Sequence, residues 1–131
     1  MTDFAATMPF AKLIDIRVIE ATPDKVVGEL TVREDLCTVG GLLHGGAVMA
    51  FADSLGAIGG FLSLPPGAVG TTTIESKTNF LGGAKIGAVV RAETTPAHRG
   101  KRTSVWETRI KTAEGKPVAL VIQTQMVLLP G

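Results

Sequence analysis

The run LLHGGAVMAFADSLGAIGGFLSLPPG, residues 42–67, constrains this chain more than any other feature. Within it Ala47, Val48, Ala50, Phe51, Ala52, Leu55, Ala57, Ile58, Phe61 and Leu62 cover nearly the whole circumference of a helix instead of one stripe. Such a helix is expected to be buried all round, so the rest of the chain has to wrap it. Pro65, Pro66 and Gly67 cannot continue the helix and end it. A membrane span over 47–64 has the length, but Asp53 sits at its centre, Gly56, Gly59 and Gly60 interrupt it, and its flanks lack a Lys/Arg bias.

The wrapping material reads as strands. In LIDIRVIE (13–20), Ile14, Ile16 and Val18 alternate with Asp15 and Arg17. In KVVGELTVR (25–33), Val26, Gly28, Leu30 and Val32 alternate with Lys25, Val27, Glu29 and Arg33. Thr22, Pro23 and Asp24 join the two as a hairpin. Four more strand-like runs follow, at 71–80, 86–95, 103–112 and 118–129. Their connections, Gly82–Lys85, His98–Arg102 and Glu114–Lys116, are all of hairpin length. No repeat, linker or low-complexity tract interrupts them, so residues 1–131 are expected to form a single α+β domain.

Composition narrows the partners. Thirteen Lys+Arg against twelve Asp+Glu give a net charge of +1, which leaves no basic footprint for nucleic acid or an anionic membrane. With 45% apolar residues and 19% charged, the chain is the opposite of a disordered one. A mean hydropathy of +0.32 in so short a chain calls for an outlet, and self-association supplies it. The single Cys37 forms no intrachain disulfide, and no basic segment precedes an apolar core in MTDFAATMPF, so a reducing cytoplasm is expected.

Familiar catalytic signatures are missing. There is no G-x-S-x-G elbow, Walker loop, Rossmann fingerprint or H-E-x-x-H, and two histidines with one cysteine are too few for a well-formed zinc site. Two features remain. His44, Gly45 and Gly46 open the helix, where unpaired N–H groups and the positive dipole end suit a ligand oxygen, although on these residues alone a tight turn with His44 as a cap is the simpler reading. Asp53 lies in the middle of an apolar helix, where a carboxylate is costly unless it is hydrogen-bonded or faces a cleft, and there it suits a general base or nucleophile. Gly45 and Asp53 are eight residues apart, about 12 Å along one helix, too far to serve one carbonyl. Across a two-fold dimer with antiparallel facing helices, Gly45 of one subunit meets Asp53 of the other.

The segment LLHGGAVMAFAD (42–53) resembles the H-G-G-x(6)-D signature of hotdog-fold acyl-CoA thioesterases of the phenylacetate-degradation (PaaI-like) and 4-hydroxybenzoyl-CoA type. The similarity continues through TTTIESKTNF, GKRTSVWE (100–107) and EGKPVA (114–119). It implies a hotdog fold, an antiparallel sheet of five to six strands around one long buried helix, and hydrolysis of an acyl-CoA to free acid and CoA. By the same resemblance, the Gly45 N–H holds the thioester carbonyl oxygen and the partner subunit's Asp53 attacks the carbonyl or activates water. His44 orders the site and Thr73 aids the water. Thr38 stands where the family usually has Asn or Gln, which puts that assisting role in question. Ala57, where members with Glu at the Asp53 position carry Ser or Thr, places the chain nearer the Asp branch.

His98, Arg99, Lys101 and Arg102 around Gly100 form either a solvated hairpin end or a seat for the coenzyme A phosphates. With Gly46, the residues Arg99, Gly100, Lys101 and Arg102 are the candidate CoA-binding set. Lys77 and Lys85 are weaker candidates for the same task, and Cys37 reads as a small packing residue. No metal or redox cofactor is implied; coenzyme A is part of the substrate. The expected assembly is a homodimer at minimum, with a pair of dimers as the family's common form. The competing readings are a hotdog protein that binds acyl-CoA without turnover and a hotdog dehydratase or hydratase.

Overall fold

A computed structural model describes residues 3–131. Two short helices, α1 (Phe4–Thr7) and α2 (Pro9–Leu13), precede β1 (Arg17–Thr22) and β2 (Lys25–Thr31). A single 3₁₀ turn, Glu34–Leu36, leads to the long helix α3 (Gly45–Leu62). Strands β3 (Gly70–Phe80), β4 (Val89–Arg99), β5 (Thr103–Thr112) and β6 (Pro117–Leu128) complete the chain. All six strands form one antiparallel sheet in the order β1-β2-β4-β5-β6-β3, with β1 and β3 at its edges.

The sheet curves around α3 as the sequence requires. Phe51, Ala52 and Leu55 on the helix are fully buried against Val26, Leu30, Val90, Ala92, Ile110 and Val121 from the strands. Gly45–Leu62 is long and apolar enough to cross a membrane, yet here it is the core helix of the sheet. The helix is not buried all round, however. Met49, Ala50, Asp53 and Ala57 form a half-buried line at helical spacing, and Phe61 is exposed. That line is where the sheet stops short.

Three expectations need correction. The strand expected over 13–20 begins only at Arg17, because Pro9 starts α2 and Asp15, at φ 61°, breaks the extended run. Ile14 and Ile16 are buried all the same. The run expected at 86–95 lies at 89–99, after Gly87 at φ 92°, so that His98 and Arg99 are in β4 and not in the connection. Finally, β3 and β4 are not a hairpin: β3 pairs with β6 from Gly70↔Leu128 to Phe80↔Ala119, while β4 pairs with β2 and β5. The glycine-containing connection after Phe80 carries the chain across the sheet, leaving β3 as an open edge.

Candidate active site

His44 ends an extended segment and caps α3, its Nδ1 accepting the Gly46 N–H at 2.8 Å. A ring that accepts at Nδ1 carries its proton on Nε2, so in this arrangement His44 offers an N–H donor outward. The Ala47 N–H is taken by the His44 carbonyl at 2.9 Å. The Gly45 N–H has no acceptor among the described residues. It therefore stays available at the positive end of an 18-residue helix, beside the ring of Phe80, which a Cβ on Gly45 would approach at 3.1 Å.

Asp53, two turns further along α3, is held from the sheet. Thr73 Oγ1 on β3 donates to Asp53 Oδ1 at 2.6 Å, and Gln123 Nε2 on β6 donates to the same oxygen at 3.2 Å. Asp53 Oδ2 has no partner among the described hydrogen bonds. The residue lines an opening of about 270 Å³ together with Met49, Ala50, Thr73 and Ser76. One carboxylate oxygen is thus fixed while the other is left free, the arrangement a base or nucleophile needs.

A bulge in β3 adjoins this site. Thr73 pairs with Gln125 and Glu75 with Thr124, so Ile74 is the extra residue, and the strand's parity switches across it. Thr71 and Thr73 before the bulge, and Ser76 and Thr78 after it, all lie on the half-buried side, whereas Ile74 is 56% exposed.

The remaining expected residues are not all brought here. Thr38 lies in the loop before α3, its N–H bonded to the Leu42 carbonyl, and the structure gives its side chain no bond to Asp53. Arg99 is turned toward the β1–β2 turn, bonded to Asp24 Oδ1 at 2.8 Å and to the Pro23 carbonyl, and lies 5.8 Å from the Trp106 ring centroid. Gly100 closes the β4–β5 turn through its N–H to Thr103 O, leaving Lys101 and Arg102 exposed at the tip.

A second opening, about 360 Å³, adjoins the helix start. It is lined mainly by Phe10, Leu13, Ile14, Leu36, Cys37 and Ala47, with His44, Gly46 and the Arg33–Asp35 ion pair at its wall. Gln123 and Gln125, fully buried beside the carboxylate, were missed by sequence reasoning. Their signal was parity: in VALVIQTQMVL they share the side of Val121 and Val127, the side that faces the core.

The family model described as thioesterase superfamily matches residues 40–119, a span that includes His44, Gly45, Asp53 and Thr73. The chain belongs to the thioesterase superfamily. Membership sets its class of chemistry as thioester hydrolysis and its fold as the hotdog. It is 34% identical over 88 residues to a putative esterase of Pseudomonas aeruginosa, PA1618; the match takes in 67% of this chain and 60% of that one. It is 31% identical over 103 residues to a 1,4-dihydroxy-2-naphthoyl-CoA hydrolase of Escherichia coli, covering 79% of this chain and 74% of the relative. A crystal structure of a mutant thioesterase PA1618 superposes with a TM-score of 0.88 at 27% identity, over 95% of this chain and 91% of that one. The thioesterase fold seen there is therefore shared along nearly the whole length.

Proposed function

We propose that this chain hydrolyses acyl-CoA thioesters, with Gly45 of one subunit and Asp53 of a second subunit acting on the same carbonyl. One observation carries the reading: Asp53 is saturated at Oδ1 by Thr73 and Gln123, while Oδ2 is left unbonded at an opening. The free Gly45 N–H lies about 12 Å away along the same helix, so a single subunit cannot aim both groups at one atom. A second copy resolves this. The half-buried line Met49–Ala50–Asp53–Ala57, the open edge of β3, and the exposed Ile74 and Phe80 offer a self-complementary face for a two-fold partner.

In this scheme the Gly45 N–H polarises the thioester carbonyl and stabilises the developing oxyanion. Asp53 Oδ2 takes a proton from water as the water oxygen bonds to the carbonyl carbon. The tetrahedral intermediate then expels the sulfur, which leaves as the thiol with that proton, giving the free acid and CoA. Direct attack by Oδ2, through an anhydride that water opens, reaches the same products. The largely apolar opening beside His44 and Gly46 suits the acyl group, with the Arg33–Asp35 pair at its wall. A CoA ester as substrate accords with the name of the Escherichia coli relative. Lys101 and Arg102 supply cations for the nucleotide end.

Free-thiol release from benzoyl-, phenylacetyl- and C4–C12 acyl-CoA esters, on wild type and Asp53→Asn, tests the reading. Turnover that falls by orders of magnitude in the variant supports it. Undiminished turnover removes Asp53 from its role, and CoA-ester binding without thiol release favours a non-catalytic binder. Label found in Asp53 after a single turnover in ¹⁸O-water identifies direct attack with the anhydride opened at the Asp53 carbon; activated water, or an anhydride opened at the acyl carbon, puts the label in the product acid alone.

A further inference from the structure

Asp53 is the end of a longer chain of side chains that runs through β3 and β6. Gln125 Nε2 lies 2.6 Å from Thr73 Oγ1, and Thr71 Oγ1 lies 3.0 Å from Gln125 Oε1 and 3.1 Å from the Met126 carbonyl. Gln125 is 1% exposed and Gln123 fully buried, so water does not compete for these groups. We propose that Gln125, acting through Thr73, is a positioning residue for the thioester-cleaving carboxylate, because the N–H it donates to the Thr73 lone pair holds that hydroxyl in place with its proton on Asp53. This rests on the reading of Asp53 given above.

A threonine hydroxyl has one hydrogen to give, and an amide has a donating nitrogen and an accepting oxygen. An ionised Asp53 accepts only, so at 2.6 Å the Thr73 hydrogen must lie toward Oδ1. The lone pair of Thr73 then needs a donor, and Gln125 Nε2 supplies it. With its nitrogen toward Thr73, Gln125 turns its oxygen to the Thr71 hydroxyl, whose one proton is shared between Gln125 Oε1 and the Met126 carbonyl. Reversing the Gln125 amide would demand the Thr73 proton for Oε1 and leave two oxygens facing each other without hydrogen at Asp53. With the carboxylate ionised, the chain runs one way, from Gln125 through Thr73 to Asp53.

The second donor comes from Gln123, also on β6, whose amide lies against the backbone of α3 at Gly56. A Cβ there would lie 2.3 Å from Gln123 Cδ. The Gln123 oxygen is buried without a partner, and the carboxylate beside Nε2 is what holds the amide in that orientation. Oδ1 is therefore gripped from two neighbouring strands, by Thr73 on β3 and Gln123 on β6. The carboxylate cannot rotate without losing both bonds, and Oδ2 stays at the opening.

The test pairs kinetics with a readout that needs no turnover. Gln125→Met keeps the volume and removes both the donor and the acceptor. The expected result is a kcat lowered about tenfold with KM within about twofold, and no further loss when Gln125→Met is added to Thr73→Val. In parallel, Asp53→Asn moves the side-chain amide proton resonances of Gln125, although the two residues share no direct bond, and that response vanishes in the Thr73→Val background. A Gln125→Met enzyme with unchanged kcat, or one whose loss adds fully to that of Thr73→Val, overturns the proposal, as does a Gln125 amide signal blind to Asp53. If the amide signals respond as expected but no thioester is cleaved, the relay stands and the catalytic reading of Asp53 falls.

Discussion

Thr73 Oγ1 and Asp53 Oδ1 are 2.6 Å apart and join an edge strand to the middle of the core helix. The bond determines what each residue is for. Thr73 has given its only proton to the carboxylate, so its first task is to hold Asp53. Thr73→Val, which keeps the shape and loses the hydroxyl, is expected to lower kcat on the order of 10–100-fold, whereas Thr73→Ser retains most of it. Asp53→Asn, which abolishes the base itself, costs on the order of 10³-fold or more. Thiol release at saturating ester checks all three; equal rates for Thr73→Val and wild type would show that the bond has no part in turnover.

The subunit sharing proposed for Gly45 and Asp53 has a consequence that only mixed oligomers show. Gly45→Val crowds the N–H that meets the carbonyl, the nearest atoms to its new Cβ being those of the exposed Phe80 ring at about 3.1–3.2 Å, which has room to move. Alone, Gly45→Val and Asp53→Asn are each expected to be nearly inactive. A heterodimer of the two holds one site with both defects and one with neither. Unfolding and refolding an equal mixture is expected to return roughly a quarter of wild-type activity, since about half of the dimers are mixed and half of the sites in those are intact. If each subunit instead builds its own site, the mixture stays as inactive as its parts.

How much of this was legible depends on what each residue type can disclose. The helix was legible because an unbroken apolar circumference has one meaning, and Asp53 stood out because a carboxylate there needs a reason. The line of helix residues left half-buried was not legible, since Met49, Ala50 and Ala57 are as apolar as their buried neighbours. The β3–β4 connection misled for a different reason: loop length bounds what a connection can do without stating which strand is the neighbour. Gln123 and Gln125 carried a readable signal in their parity, but alternation is usually read for its apolar members. The β3 bulge leaves no mark in TTTIES, where both registers present polar residues to either side.

Gly56 tests the packing under the site without touching the reacting atoms. An added Cβ would lie within 2.3–2.5 Å of three atoms of the Gln123 amide, which is fully buried. Gly56→Ala gains helix propensity worth about 1 kcal/mol, and overpacking of this kind costs about 1–3 kcal/mol. A net loss of up to about 2 kcal/mol in chemical denaturation is expected, together with reduced kcat, because the displaced amide is one of the two donors on Asp53. A variant as stable and as active as wild type would mean that Gln123 relocates freely and contributes nothing to the carboxylate's orientation.

The turn between β4 and β5 separates two uses of positive charge. Arg99 is committed to Asp24 and the Pro23 carbonyl and lies over Trp106, so its removal is expected to act on the β1–β2 turn. Lys101 and Arg102 have no ion pair among the described residues and are exposed. If they meet the phosphates of coenzyme A, a Lys101→Ala, Arg102→Ala double variant raises KM for acyl-CoA about 5–30-fold with kcat little changed, as loss of one or two charge-assisted contacts to an exposed anion would. Acyl-pantetheine, which presents the same thioester without the nucleotide phosphates, then gives the same KM with the variant as with wild type. Raising ionic strength weakens the wild-type preference for the CoA ester over the pantetheine ester and leaves the double variant unaffected. Equal losses on both esters would instead trace the defect to the turn's structure, and an unchanged KM on both would place the nucleotide elsewhere on the surface.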